Sequence, residues 1–332
     1  MKIKVALIAG GDSGEYEVSL NSAAAVQEQL PAEKYEVFFI HMLGRDWHYK
    51  GETGEKIPVD KNDFSVTVGN RRITFDVAFI LIHGTPGEDG KLQGYFDLLK
   101  IPYTTSDLFT SALTFKKNFT KHVASSLNVA VSKTFFLRRG EKYKSAELLR
   151  EVGLPCFVKP NKGGSSVGIT KVKMAEEFDE AIDRAFQEDD EVLVEEFLQG
   201  DEIGCGVYKY KDVVIPLPLT EIVSKTEFFD YQAKYLGASD EITPARISEE
   251  ETRKCQKLSA CLYRQLNCTG LVRFDYILKD EIFYFLEVNT IPGLSKASIV
   301  PQQIRYMGKN ESDVYSELIE EALNEHKTSL NK

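Results

Sequence analysis

The sequence predicts an α/β and α+β protein of three domains, in which the N-terminal domain carries a parallel sheet. Three patterns support this prediction. Residues 1–105 alternate apolar strands with amphipathic helices, as βαβ units do. Residues 106–199 mix short strands and helices around a glycine-rich loop, and residues 200–332 contain two long hairpins that flank a helix. These three ranges are the predicted domains.

The composition narrows the class of protein. The chain has 332 residues, of which 42% are hydrophobic and 28% charged, a balance typical of globular proteins. A net charge of -10 disfavours a nucleic-acid partner, because duplex binding requires a basic face. No apolar run approaches the length of a membrane span, the opening MKIKVALIAGG is too short for a signal peptide, and five scattered cysteines show no CxxC spacing. We therefore expect a cytoplasmic protein without a membrane partner or a disulfide framework.

The first predicted strand ends in an acidic turn. The apolar residues 5–8 lead into GGDSGE, and a helix is predicted from Tyr16 to Leu30. A second turn, HGTPGEDG, follows another apolar strand. Ligands of parallel sheets bind at the carboxyl ends of strands, which is where both turns lie. The first turn fits neither the dinucleotide-binding nor the P-loop glycine pattern, which disfavours a NAD-dependent dehydrogenase and leaves its carboxylates to be explained.

A glycine-rich loop, NKGGSSVG, joins two short strands in the middle of the chain, after a helix predicted over residues 111–127. Glycines expose consecutive amide groups and serines add hydroxyl donors, which suits phosphate oxygens. Lys117, Lys159 and Lys234 lie on predicted loops or strand ends and together could neutralise a polyphosphate. The alternative is a flexible hairpin turn beside solvated lysines, and the local pattern leaves both interpretations open.

The last hairpin places polar residues on one face. Arg273 and Asp275 alternate with apolar residues on its first strand, and Glu287 and Asn289 do so on its second strand. A register centred on Glu281 pairs Asp275 with Glu287 and Arg273 with Asn289. Two carboxylates and an amide, without histidine or thiolate nearby, suit Mg²⁺ rather than zinc. The alternative is a polar outer face whose charges form cross-strand pairs.

Two further helices are predicted in the C-terminal part. Ser248 and Glu251 match a capping box, which predicts a helix that begins at Ser248. An amphipathic pattern predicts a last helix from Ser312 to His326.

Taken together, these stretches resemble the D-alanine:D-alanine ligase family of the ATP-grasp superfamily. Matching motifs run from Gly10 to Pro301 in the order and spacing of the family, and they include GGDSGEYEVSLNSA, HGTPGEDGKLQG, FVKPNKGGSSVG, EEFLQGDE, RFDY and EVNTIPGLSKAS. The resemblance implies a three-domain ATP-grasp fold whose N-terminal Rossmann-like domain binds an amino acid. It also implies ATP-dependent formation of D-alanyl-D-alanine through a D-alanyl phosphate, as a peptidoglycan precursor.

The resemblance implies roles for the residues of these motifs. Glu15 binds the ammonium group of the first D-alanine, which would account for the acidic opening turn. The residues implied to bind ATP are Lys117, Lys159, Gly164, Ser166, Glu195, Phe197, Leu198, Glu202 and Lys234. Asp275, Glu287 and Asn289 are implied to hold two Mg²⁺ ions, which Mn²⁺ can replace.

The reaction of the family implies the other roles. Arg273 and the Gly293 amide stabilise the oxyanion that forms when the second D-alanine attacks. The residues implied to bind the amino-acid substrates are His83, Ser295 and Ser298. A triad of Glu15, Ser165 and Tyr235 holds the loops over the site, and a tyrosine at position 235 favours a dipeptide over a D-alanyl-D-lactate ester.

The chain departs from the common wording of the family at three positions. Lys116 and Glu196 stand where an aspartate and a lysine are usual, and both bear on nucleotide affinity or local pairing. Ala297 stands where histidine is common and bears on the second substrate. A related ligase that makes D-alanyl-D-serine or D-alanyl-D-lactate is therefore the first alternative, and a nucleotide-binding protein without catalysis is the second. The family usually forms homodimers, so a homodimer is expected.

Overall fold

The computed structural model describes residues 2–51, 53–164, 167–224 and 239–330. Four residues of the expected site, Ser165, Ser166, Lys234 and Tyr235, lie outside the described residues. Among the described helices, none combines the length and the apolar composition needed to cross a membrane.

The first sheet has seven strands, in the order β6-β5-β4-β3-β2-β1-β7. Its strands are β1 (Ile3–Gly10), β2 (Tyr35–Leu43), β3 (Asp46–Lys50), β4 (Lys56–Asp60), β5 (Ser65–Val68), β6 (Arg71–Ile73) and β7 (Val77–Ile80). Strand β1 pairs in parallel with β2 and β7, as predicted. Strands β2 to β6 form an antiparallel meander that sequence reasoning missed, so the sheet is mixed.

The second sheet is antiparallel, has four strands in the order β10-β9-β11-β8, and leads into the glycine-rich loop. Its strands are β8 (Thr134–Arg138), β9 (Cys156–Pro160), β10 (Thr170–Val172) and β11 (Glu191–Glu196). The third sheet has five strands in the order β14-β13-β12-β15-β16. They are β12 (Asp201–Tyr210), β13 (Val213–Ser224), β14 (Ser239–Ile242), β15 (Leu271–Lys279) and β16 (Ile282–Asn289).

The described residues contain the helices α1 (Tyr16–Gln29), α2 (Lys91–Leu99), α3 (Leu108–Phe115), α4 (Lys117–Ser126), α5 (Ser145–Val152), α6 (Phe178–Glu188), α7 (Glu249–Gln265), α8 (Ile299–Tyr306) and α9 (Glu311–Leu330). The predicted capping box at the start of α7 is confirmed, since the Ser248 hydroxyl accepts from the Glu251 amide and the Glu251 carboxylate accepts from the Ser248 amide. Helix α8 was not predicted from the sequence.

The single helix predicted over residues 111–127 is wrong. Lys116 has an extended backbone, with φ -97° and ψ 102°, so the chain breaks there into α3 and α4. The Lys117 amide then donates to the Asn161 carbonyl oxygen at 3.1 Å, instead of to a carbonyl within a continuous helix. The apolar periodicity continues across the break, which is why the pattern alone did not reveal it.

The register of the β15–β16 hairpin is the predicted one at its functional end. Asp275 lies opposite Glu287, and Arg273 lies opposite Asn289. The turn itself is tighter than predicted, since Lys279 pairs with Ile282 and both Asp280 and Glu281 have positive φ. A β-bulge after Asp275 adds the residue that restores the predicted register. A uniform register from this turn would instead have set apolar side chains opposite Asp275 and Arg273.

One apolar core joins the two ends of the chain. Val5 and Leu7 of β1 and Val26 of α1 are fully buried together with Val314 and Ile319 of α9. Packing residues from both ends into one core fixes the first turn relative to the C-terminal segments. The second sheet has a separate, smaller core with α6, which includes Val158, Phe178 and Val194.

Candidate active site

The three sheets contribute to one cleft of about 340 Å³, within the size range of small-molecule sites. Expected site residues lining it are Glu15, His83, Lys117, Gly164, Glu202, Arg273, Asp275, Glu287, Asn289, Gly293, Ser295 and Ser298. They come from the first turn, the start of α4, the glycine-rich loop, the third sheet and the segment before α8. Four other expected residues, Lys159, Glu195, Phe197 and Leu198, do not line this cavity and lie on or beside the second sheet.

The two turns at the carboxyl ends of β1 and β7 touch each other. The Ser13 hydroxyl donates to the His83 carbonyl oxygen at 2.7 Å, and the Asp12 amide donates to the Thr85 carbonyl oxygen at 3.0 Å. Gly10 has φ 112°, and a Cβ there would lie 2.2 Å from the Met42 carbonyl oxygen. Only glycine fits this turn, which carries Glu15 to the start of α1.

Glu15 lies directly against the glycine-rich loop. A Cβ added to Gly164 would lie 2.6 Å from a carboxylate oxygen of Glu15. The first turn and the loop that precedes Ser165 are therefore in contact across the cleft. A side chain at position 164 would separate them.

Two buried titratable groups stand beside Glu15. Burial lowers the pKa of His83, against the pull of the Glu15 carboxylate. His83 Nε2 has no hydrogen-bond partner among the described residues. Glu88 accepts from the Gly84 amide at 2.7 Å, and burial together with Glu15 raises its pKa to about 8. At neutral pH this corner therefore holds a neutral imidazole and a neutral carboxyl group, and Glu15 has no competing charge from either.

Four polar residues of the last hairpin and one lysine at the start of α4 form what we call the hairpin cluster: Lys117, Arg273, Asp275, Glu287 and Asn289. The Arg273 guanidinium donates to both oxygens of Asp275, at 2.7 and 2.8 Å, and the Asn289 amide donates to Asp275 at 2.9 Å. Lys117 lies 3.1 Å from Glu287 and donates to the Gly163 carbonyl oxygen at 2.6 Å. Burial opposes the charge on Arg273, but Asp275 outweighs it and raises the pKa of Arg273.

The donor set of the hairpin cluster fits a hard divalent cation. Asp275 and Glu287 present carboxylate oxygens and Asn289 an amide oxygen on neighbouring strands that line the cleft. No group of three or more His, Cys, Asp or Glu side chains able to hold a metal is found within the described ranges, so the amide is needed to complete this set.

A second charged group, which we call the lysine cluster, consists of Lys121, Ser132, Lys159 and Glu195. Glu195 on β11 lies 3.0 Å from Lys159 on β9 and 2.5 Å from Lys121 on α4. Sequence reasoning missed Lys121 and Ser132. A signal was present for Lys121, because it follows Lys117 by four residues and so lies on the same helical face.

The remaining expected ATP residues lie at the end of β11. The Phe197 ring packs 5.9 Å from that of Phe157, and the Lys171 ammonium lies 3.8 Å from the Phe197 ring centroid. Leu198 is buried, and Glu202 lines the cleft from β12. These positions stay predictions for adenine and ribose contacts.

The segment before α8 forms the far wall of the cleft. The hydroxyls of Ser295 and Ser298 lie 2.8 Å apart, and Ser298 is the N-cap of α8. A Cβ on Gly293 would lie 2.9 Å from the Ser298 hydroxyl. The Leu294 amide donates to the Ser22 hydroxyl of α1 at 3.1 Å, which ties this wall to the helix that follows Glu15.

The departures from the family wording have local partners. Lys116 lies 3.1 Å from Glu191, and the Glu196 carboxylate accepts from the Lys133 amide at 2.7 Å. Lys116 is therefore in an ion pair, and Glu196 is held by a backbone hydrogen bond beside the second sheet. Ala297 lines the cleft, where a larger residue would take space from a ligand.

Comparison with known proteins finds a family match for both the N-terminal and the C-terminal part of the chain. The family model described as D-ala D-ala ligase N-terminus matches residues 4–106, and the one described as D-ala D-ala ligase C-terminus matches residues 123–320. A D-alanine-D-alanine ligase of Bacteroides fragilis is 46% identical over 321 residues, which cover 96% of this chain and 99% of the relative.

Solved structures agree in fold. The crystal structure of the VanG D-Ala:D-Ser ligase from Enterococcus faecalis matches with a TM-score of 0.88 and 34% identity, over 97% of this chain and 100% of that chain. The D-alanine-D-alanine ligase from Bacillus anthracis complexed with ATP matches with a TM-score of 0.79 and 27% identity, over 98% and 99% of the two chains. The three-sheet architecture is therefore that of the ATP-grasp ligases.

Proposed function

The chain belongs to the D-alanine:D-alanine ligase family, and we propose that its cleft joins two D-alanines to D-alanyl-D-alanine while ATP is cleaved to ADP and phosphate. One observation supports this most directly. Glu15 from the first turn and Asp275 and Glu287 from the last hairpin line one cleft, with Gly164 against Glu15. This arrangement supports an ammonium site at Glu15 that faces a metal and polyphosphate site at the last hairpin.

In the first step, the carboxylate of the first D-alanine attacks the γ-phosphorus of ATP, the bond to ADP breaks, and D-alanyl phosphate forms. Glu15 holds the ammonium group of this D-alanine and so directs its carboxylate toward the phosphates. Lys117 neutralises phosphate charge beside the amides of the glycine-rich loop. Catalysis of this step is mainly positioning and charge neutralisation.

Bound Mg²⁺ would neutralise charge on the phosphate oxygens, and Asp275, Glu287 and Asn289 would hold it. We propose two ions, for which Mn²⁺ can substitute because it prefers the same oxygen ligands. Arg273 donates to both oxygens of Asp275 and so keeps that carboxylate oriented.

In the second step, the amine of the second D-alanine attacks the carbonyl carbon of D-alanyl phosphate. Two N–H groups of Arg273 donate to Asp275. Its other donors and the Gly293 amide stabilise the oxyanion. Phosphate then leaves, the amine gives up a proton, and the dipeptide is released. Ser295 and Ser298 hold the carboxylate of the second D-alanine.

Phosphate release from ATP, measured with and without D-alanine, tests the function. We expect release that depends on D-alanine and a dipeptide product seen by mass spectrometry. Glu15→Gln removes the charge that holds the ammonium group and should raise the KM for D-alanine by about tenfold to a hundredfold. Glu17→Gln, two residues further along in the first turn of α1, serves as the matched control. ATP cleavage without any dependence on D-alanine would refute the proposed reaction.

D-serine as the second substrate is the alternative. The structural likeness to a D-Ala:D-Ser ligase, and the small Ala297 in the wall near Ser298, favour including it. An equimolar mixture of D-alanine and D-serine decides between the two, because the ratio of the two dipeptides reports the preference directly. We expect D-alanyl-D-alanine to dominate.

We further propose that the protein is a homodimer in the cytoplasm. Leu98, Leu108 and Phe109 on α2 and α3 are 85%, 45% and 70% exposed, an apolar surface that a second copy would cover. A cytoplasmic location is supported by the need for ATP and by the free thiol state of all five cysteines. Sedimentation of the wild type and Phe109→Glu tests the dimer, which the variant should weaken.

A further inference from the structure

Lys121 is one of the few lysines that the fold buries. It is only 3% exposed, in the second turn of α4, and it lies 2.5 Å from one oxygen of Glu195. It also donates to the Ser132 hydroxyl at 2.7 Å. A lysine is rarely buried to this extent without a paired charge, and here the pair is complete.

Glu195 is shared between two cations. Its second oxygen lies 3.0 Å from Lys159 and accepts from Ser132 at 3.2 Å. Burial opposes ionisation of Glu195, but Lys121 and Lys159 outweigh it and lower the pKa of Glu195 to about 2. Glu195 therefore stays negatively charged near neutral pH and is paired with the ammonium group of Lys159.

The charge balance of the lysine cluster decides what Lys159 can offer a ligand. Two lysines and one carboxylate leave one net positive charge beside the strand that leads into the glycine-rich loop. Without Lys121, Glu195 and Lys159 would form a neutral pair, and their attraction would increase because no second cation would share the carboxylate.

We propose that Lys121 is a positioning residue for ATP binding, which acts as the counter-ion of Glu195 and so leaves the charge of Lys159 available to a phosphate. This inference rests on the proposed function and on the role in ATP binding that the family resemblance implies for Lys159. Because Lys117 and Lys121 are one turn apart, α4 supplies both clusters with a cation from one face. Lys117 lines the cleft, whereas Lys121 lies outside its lining and pairs with Glu195.

The test is ATP binding measured by calorimetry on the full chain with Mg²⁺, for wild type, Lys121→Met and Lys121→Arg. We expect Lys121→Met to raise the Kd for ATP by about tenfold to a hundredfold and to leave the Kd for adenosine unchanged, because only phosphate binding depends on the charge. Lys121→Arg should stay close to wild type. Lys133→Met is the matched control, since it removes an exposed lysine from an ion pair with Glu151.

A double variant separates this electrostatic role from a merely structural one. Because Glu195 is itself implied in ATP binding, the effect of Lys121→Met on the Kd for ATP is compared in the wild-type background and in the Glu195→Gln background. In the Glu195→Gln background Lys159 has no carboxylate to pair with, so adding Lys121→Met should leave the Kd for ATP nearly unchanged, whereas a structural role predicts the same loss in both backgrounds. If Lys121→Met does not fold alone, the Glu195→Gln background decides, since a large loss of ATP binding on adding Lys121→Met there would overturn the proposal.

Failure of the inference can be told from failure of the proposed function. D-alanine-dependent phosphate release by the wild type reports on the function and involves no variant. If that activity is present while Lys121→Met binds ATP like Lys133→Met, the role of Lys121 is refuted and the function stands. If the wild type binds no ATP at all, both fail together.

Discussion

The hairpin cluster and the lysine cluster both pair buried carboxylates with cations, and they differ in their access to the cleft. In each, a carboxylate with 4% side-chain exposure is bound by a cation, Asp275 by Arg273 and Glu195 by Lys121. The hairpin cluster also presents Glu287, whose side chain is 25% exposed, to the cavity. In the lysine cluster every carboxylate oxygen is committed to Lys121, Lys159 or Ser132.

The difference shows that an ion pair alone does not tell whether a carboxylate binds a ligand or only affects the charges beside it. A carboxylate that meets a cavity can exchange its partner for a ligand, whereas one enclosed by lysines acts mainly by setting the charge of its neighbours. Removal of the central carboxylate should therefore have different effects in the two clusters. It should lower turnover in the hairpin cluster and stability in the lysine cluster.

The largest effect is expected from Asp275→Asn in the hairpin cluster. The variant keeps the shape of the side chain and removes the charge expected to hold the metal, so we expect kcat to fall by about a thousandfold or more. Steady-state phosphate release with D-alanine measures it. Asp280→Asn, in the turn of the same hairpin, is the control and should keep wild-type activity. A near-normal kcat for Asp275→Asn would remove the hairpin cluster from the chemistry.

The same kind of change in the lysine cluster should act mainly on stability. Glu195→Gln leaves Lys121 and Lys159 buried beside each other without a counter-ion, which should lower the free energy of unfolding by about 3 kcal/mol. Denaturant unfolding measures this, with Glu196→Gln on the neighbouring surface as the control. We expect kcat to fall much less than in Asp275→Asn. Loss of turnover at unchanged stability would make Glu195 a catalytic group and would erase the contrast between the clusters.

A pH series gives the smallest and most specific effect. Burial lowers the pKa of Lys121 to about 8, against the attraction of Glu195, while Lys159 lowers it further and Glu287 raises it. As pH rises through about 8, Lys121 loses its proton and Glu195 pairs with Lys159 alone. The KM for ATP should therefore rise between about pH 7 and pH 9 in the wild type. In Lys121→Arg it should rise less, because arginine stays charged. If the KM for ATP depends on pH in the same way in the wild type and in Lys121→Arg, the titrating group is not Lys121.

Sequence reasoning located the hairpin cluster better than the lysine cluster for a physical reason. Asp275 and Glu287 are brought together by one local hairpin, whose period of two and pairing can be read from the residues themselves. Lys121, Ser132 and Glu195 come from α4, the loop before β8, and β11, and only tertiary packing unites them. The hydrophobic periodicity of a sequence does not predict a tertiary contact of this kind.

The fold shows the same limit. The parallel pairing of β1 with β2 and β7 followed from the alternation of strand and helix, whereas the short strands β3 to β6 carry too few apolar residues to stand out. The break at Lys116 was missed because the hydrogen bond from the Lys117 amide to Asn161 depends on a distant loop. The predicted hairpin register is correct at Asp275 because the tight turn shifts the pairing by one residue and the bulge shifts it back, and the sequence revealed neither shift.

The core shared by β1, α1 and α9 has a consequence for how the protein is made. During synthesis on the ribosome, Val5, Leu7 and Val26 emerge long before Val314 and Ile319, the residues that cover them. The nascent chain must therefore carry an exposed apolar surface until almost all of it has been translated. A truncated transcript that lacks α9 would yield an aggregation-prone product rather than a smaller working unit.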